Sequence, residues 1–150
     1  MNKSATDILP TLSFPYECVI SKDYGKVYIL EGQHIMICEL TKEYVTIDNF
    51  KEIFLETIPI IKVHKIKKFI FDKQHLKVFH QPSMEWYFVH WKKEIFELGL
   101  SVHRKILPEQ PSFKLAVEAG RSKIMAEYQD TIIPKLDIQY KDSIKEAIES

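Results

Sequence analysis

The sequence predicts an α/β fold: a mixed β-sheet that opens as an antiparallel meander, continues as alternating strands and helices, and carries its helices mainly on one face. Three observations predict it. Residues 16–40 hold three short apolar runs separated by tight-turn signals. From Thr46 the apolar residues recur at helical rather than strand spacing. A five-residue apolar run, Lys68-Phe69-Ile70-Phe71-Asp72, then sits between two helical stretches, as a buried parallel strand does. The 150 residues suit one domain, over 16–150, behind a flexible lead-in at 1–15 that carries two prolines.

Each element has a local cause. Tyr16 to Ser21 alternates and reads as a strand. Asp23-Tyr24-Gly25-Lys26 is a reversal, and Val27 to Glu31 returns as the second strand. Gly32-Gln33 turns the chain into a third, His34 to Leu40. That strand is apolar on both faces, which places it near the sheet centre. Ile47, Phe50, Phe54 and Ile61 then share one helical stripe, with Thr46 or Asp48 as its cap and a kink or restart expected at Pro59. Lysines 62, 65, 67 and 68 close it as cations at a helix C-terminus; a basic docking patch is the alternative.

Residues 73–81 read as an irregular loop, the widest in the chain. Pro82 suits the first helical position of a helix over about 83–98. Met84, Phe88, Trp91, Ile95 and Leu98 step by four, three, four and three along it, and Gly99 is placed to end it in the left-handed conformation. Val102 to Leu107 forms a further strand. Ser112 caps a helix lined by Phe113, Val117, Gly120 and Ile124. Leu136 to Tyr140 is a last strand, and Ser143 with Glu146 has the spacing of a capping box for a terminal helix.

Composition narrows the function classes. Lys plus Arg is 21 and Asp plus Glu is 21, so the net charge is zero. A general nucleic-acid binder needs surplus cations to displace counterions, and a polybasic membrane-surface protein needs them too. No window approaches the ~20 apolar residues of a membrane span. The N-terminus lacks the apolar core of a signal peptide. Two cysteines, Cys18 and Cys38, both in strand-like runs, read as buried free thiols and place the protein in the reducing cytoplasm.

The order and landmarks resemble the STAS / SpoIIAA-like superfamily, namesake of the anti-sigma-factor antagonists, and more narrowly its single-domain members. The matching segments are Gly25-Lys26-Val27-Tyr28-Ile29-Leu30-Glu31-Gly32, Lys67-Lys68-Phe69-Ile70-Phe71-Asp72, the Trp-containing helix before Leu98-Gly99-Leu100, the strand to Ile106-Leu107-Pro108, and Ile138-Gln139-Tyr140-Lys141-Asp142. They span roughly 16–150. The resemblance implies a non-catalytic regulatory module that binds another protein. It also implies kinship with lipid-carrying CRAL-TRIO domains, which enclose an apolar ligand. Some relatives switch partners through a phosphorylated hydroxyl at the start of the helix after the central strand. Here that segment reads Phe79-His80-Gln81-Pro82-Ser83-Met84-Glu85, without the antagonists' Asp-Ser-Ser-Gly type motif. Ser83 is the phospho-acceptor candidate on that resemblance, and a helix cap on backbone grounds.

The candidate ligand- or partner-binding residues follow. Asp72 ends a predicted buried strand, where burial can make a carboxylate a base or where it can bind loop amides. His75, His80 and His90 lie in the next loop and helix, but no metal-ligand spacing joins them, so neither a metal nor a cofactor is expected. Trp86, Tyr87, Phe88 and Trp91 crowd one helix behind Phe79. The excess either packs the core or lines a pocket or homodimer contact. Three functions stand in order. The first is a protein-binding module acting through 73–87. The second is a carrier or sensor of a small apolar ligand, lined by Phe79, Met84, Trp86, Phe88 and Trp91. The third is a hydrolase-type enzyme using Asp72 with His75 or His80.

Overall fold

The computed structural model describes residues 3–128 and 132–150. Among them, six strands form one sheet in chain order: β1 (Tyr16–Lys22), β2 (Gly25–Leu30), β3 (Ile35–Leu40), β4 (Lys68–Asp72), β5 (Val102–Ile106) and β6 (Asp137–Tyr140). The first two pairings are antiparallel and the next three parallel. The chemistry of the connections explains the switch. Two tight turns join β1 to β3, whereas each later strand is reached through a crossover long enough to hold a helix. In the turn before β3, Gly32 and His34 both take positive φ.

The helices follow amphipathic logic. Helix α2 (Ile47–His64) is capped by Thr46, whose side chain accepts from the Asn49 amide, and ends at Lys65 in the left-handed conformation. It runs through Pro59 as one continuous helix, without the restart that was one of the two expected outcomes. The carbonyl that loses its amide partner belongs to Leu55, which lies on the exposed side and can turn to water. The next helical stretch is composite: α3 (Gln81–Trp86), a π-helical turn (Tyr87–Trp91) and α4 (Lys92–Glu97) follow head to tail. The Lys92 amide reaches back five residues to the Tyr87 carbonyl. Helix α5 (Pro111–Glu127) and α6 (Ile144–Glu149) complete the set. Ser143 caps α6 by accepting from the Glu146 amide. Helix α5 starts one residue earlier than its Ser112 signal, because Pro111 takes the first-turn position.

Helices α2 to α5 cover one face. Their core is aromatic: Phe54 sits within 6 Å of the ring centroids of Phe50, Phe69, Phe71, Tyr87 and Trp91. Trp91 donates its indole N–H to the Phe54 carbonyl at 3.0 Å and the Thr57 hydroxyl at 3.1 Å, so its polar edge is satisfied inside the core.

The opposite face is covered too, and here the lead-in departs from expectation. Residues Ala5–Ile8 form a helical turn, α1, continued by a 3-10 turn at Leu9–Thr11. Ala5 and Leu9 are buried against Ile37, Ile70 and Ile106 with α6 beside them. Flexibility was the natural reading of a short polar segment with prolines. What anchors it is two carboxylates far along the chain, Asp72 and Glu39, which bind its free amides. Cys38 is buried, but Cys18 is exposed on the edge strand, so the expectation of two buried thiols holds for one. No helix among the described residues is long and apolar enough to cross a membrane.

Candidate functional site

The loop 73–80 leaves the carboxyl end of β4 and separates two hollows. One is a wide polar groove of about 720 Å³, bordered by Asp7, Glu43, His75, Lys77 and Glu109. Its charges are mostly exposed, and Lys77 pairs with Glu43 at 3.0 Å across open surface. The other is small and apolar, with about 50 Å³ of free space between the loop, the sheet and α3. Leu40 and Phe71 form its floor, Met84, Tyr87 and Phe88 one wall, and Phe50 and Phe113 the flanks. Phe79 and the exposed Val78 border it from the loop. Apolar walls with a few polar groups are what a small-molecule site needs, and open parallel sheets place ligands at these strand ends.

Sequence geometry explains why the pocket forms. Residues on β3 and β4 alternate faces, so Leu40, Phe71 and the following Lys73 point toward the helices. Helix α5 comes close through Gly120, where an added Cβ would lie 2.9 Å from Phe79 and 3.0 Å from Met84 Sδ. That approach brings Phe113 onto Phe79, ring centroids 6.0 Å apart and edge to face.

The polar groups of this region are cations. Lys73 borders the pocket, its ammonium 5.0 Å from the Phe71 ring centroid. Burial pulls it down to about 8. Behind the Tyr87–Phe88 wall lie two further buried lysines. Lys92 Nζ is 4.6 and 5.0 Å from those two ring centroids; Lys105 Nζ is 5.1 and 4.3 Å. Lys92 meets His103 Nδ1 at 3.0 Å. Lys105 Nζ, His103 Nε2 and the Tyr87 hydroxyl are buried without a hydrogen-bond partner. Burial depresses both lysines far below the ordinary value, and the neighbouring cations Lys73 and Arg121 push the same way. It holds His103 neutral and pushes the Tyr87 phenol upward.

The residues singled out from sequence fall into four places. Phe79, Ser83, Met84 and Phe88 line the pocket. Trp86 lies at the edge, half-buried, packing on Phe50 and under the Lys51 ammonium. Trp91 is core, committed to α2. Asp72 and His75 turn to the other side. Asp72 Oδ2 accepts from the Ala5 amide at 2.9 Å, and Oδ1 from the backbone and side chain of Gln74 at 3.1 Å each. Burial raises its pKa, and those hydrogen bonds oppose the rise. His75 Nε2 stands 3.6 Å from Glu39. His80 caps α3, its Nδ1 2.8 Å from the Ser83 hydroxyl and facing the Ser83 amide at 3.3 Å. His90 is on the exposed side of the π turn. Among the described residues no three His, Cys, Asp or Glu side chains gather where a metal ion could be held.

Sequence reasoning missed Lys73, Lys92 and Lys105, because lysine reads as solvated. A signal was present: Lys105 follows Val102-His103-Arg104 in a strand whose two faces are both covered, so at least one of its charges had to be buried. No protein-family model, curated protein or solved structure matches this chain. The fold and site define an α/β protein with a six-stranded mixed sheet and an apolar pocket beside buried amines.

Proposed function

We propose that this protein is a non-catalytic cytoplasmic module that carries or senses a small apolar ligand in the pocket under the 73–80 loop. The observation that carries the reading is the pocket itself, an apolar hollow between α3 and the sheet. The disposition of the reactive groups supports a role without catalysis. Asp72 is bound up with the lead-in, His75 faces Glu39, and His80 caps a helix. A cavity of roughly 150 Å³ holds benzene. The free space here is about 50 Å³, so a ligand of that size enters by displacing Phe79 and its loop.

Native mass spectrometry of the purified protein, with solvent extraction of what it releases, tests this. A co-purifying apolar compound is expected, and Met84→Trp, which fills the pocket, should lose it. An empty protein whose melting temperature no apolar probe, neutral or charged, can shift would overturn the reading.

The STAS-like resemblance carries a second reading, a regulatory module for a partner protein. The switch from antiparallel to parallel pairing at β3 is what that resemblance implies for the sheet. On this reading Ser83 is the phospho-acceptor, and its buried hydroxyl becomes available once its bond to His80 opens. Phosphate incorporation at Ser83 by native cytosol, absent in Ser83→Ala, is the expected result.

A further inference from the structure

Resting on the ligand-binding reading, we propose that the pocket takes an organic anion: an apolar body bearing one carboxylate, which sits against Lys73. The pocket's walls select the body, and its one cation selects the head. Among the described residues the Lys73 ammonium makes no hydrogen bond or ion pair, although the residue is only 8% exposed. No acid lines the pocket. The two buried carboxylates nearest in sequence, Glu39 and Asp72, lie on the other face of the sheet and are bound by the amides of Thr6 and Ala5.

Two further amines lie close by. Tyr87 and Phe88 form one wall of the pocket, and the Lys92 and Lys105 amino groups lie against the same two rings. Arg121 acts on both from α5. The Tyr87 hydroxyl is buried and unpartnered. A desolvated cation cluster without a counter-charge disfavours its own protonated form. An anion arriving beside Lys73 reverses that preference, because an opposite charge in a low-dielectric site favours the ammonium. A free phosphate would satisfy the cation but leave the apolar walls without a partner; a neutral apolar ligand would do the reverse.

Calorimetric titration of the whole protein at pH 8 decides among these. The probes are straight-chain carboxylates from butyrate to decanoate, the alcohols of the same lengths, and inorganic phosphate. The carboxylates are expected to bind at least tenfold more tightly than the matching alcohols. Their binding should take up about half a proton, because Lys73 is half protonated at pH 8 before the anion arrives, read from the dependence of the heat on buffer ionisation. Lys73→Met should abolish the preference and the proton uptake while keeping the alcohol affinity, and Lys73→Arg should keep the preference. Equal affinity for acid and alcohol would overturn the proposal and leave the ligand-binding reading intact. Binding of phosphate alone would overturn it as well. Failure of every probe, with an empty protein in native mass spectrometry, would remove the ligand-binding reading itself.

Discussion

Arg104 and Lys105 are neighbours on β5, both almost wholly buried, and they point to opposite faces of the sheet. Arg104 has every direction of its guanidinium answered. Nε donates to the Ser150 hydroxyl, Nη1 to the His103 and Asp137 carbonyls, and Nη2 to the Asp137 carboxylate and the Ser150 main-chain oxygen, all at 3.0 Å. Lys105 Nζ has no hydrogen-bond partner among the described residues and lies only against the Tyr87 and Phe88 rings. The same contrast extends across the molecule. On the face covered by α1 and α6, the buried acids Asp72 and Glu39 are met by amides. On the face covered by α2 to α5, the buried amines are met by aromatic rings and one neutral imidazole. One face satisfies its buried polar groups, and the other leaves the Tyr87 hydroxyl, His103 Nε2 and Lys105 Nζ unpaired beside the pocket wall.

The contrast can be broken by substitution. The largest effect expected is from Arg104→Met, which leaves three carbonyls without their donor and breaks the ion pair with the half-exposed Asp137 carboxylate. It should cost about 3 kcal/mol in urea denaturation. Lys105→Met, one residue on, should have the opposite sign. It removes a buried amine with no partner, keeps the aliphatic stem, and should stabilise by about 1–2 kcal/mol in the same assay. If both changes destabilise equally, the two faces do not differ in the way described.

A third expectation concerns pH. Lys73, Lys92 and Lys105 have folded pKa values below the ordinary 10.5, with Lys73 at about 8. For Lys73, the unfolded chain binds more protons than the folded one between about pH 8 and 10.5. Stability therefore rises with pH there, by about 1.4 kcal/mol per pH unit for each proton of difference. Raised phenols such as Tyr87 and Tyr140 act against this above pH 10, when the unfolded tyrosines ionise. Melting temperature should climb from pH 8 to 10, and the climb should flatten in Lys73→Met. The smallest effect is at the rim of the satisfied face. Ser143→Ala removes the cap of α6, which carries the Ser150 partner of Arg104, and should cost about 0.5–1 kcal/mol.

Much of the fold was legible because periodicity is a local property. The meander, the stripe of Phe50, Phe54 and Ile61, the stop at Gly99 and the start at Ser143 all follow from residues within a turn of one another. The docked lead-in was not legible. Its anchor, the Ala5 amide on Asp72, spans 67 positions, and nothing in residues 1–15 announces it. The site was legible in half. Phe79, Met84 and Phe88 were found because bulky apolar residues in excess of one stripe need a place. Asp72 and His75 were drawn in by their place in the sequence, yet a side chain beside a strand end can turn to either face. Counting charges along the chain gives a balance of zero, and such a count cannot show that three of the lysines are inside.

The π-helical turn at Tyr87–Trp91 has a consequence for how the amines are held. A π turn takes up one residue more than an α turn, so everything after it lags by about 100° relative to an uninterrupted α-helix. Met84 and Lys92 therefore belong to two differently phased half-helices, and that extra residue is what aims both inward at once. Were the same residues wound as one uninterrupted α-helix with Met84 held on the pocket, Lys92 and Ile95 would swing about 100° round the axis, away from His103. The pocket wall and the buried amine behind it thus face the core together only through the wide turn between them.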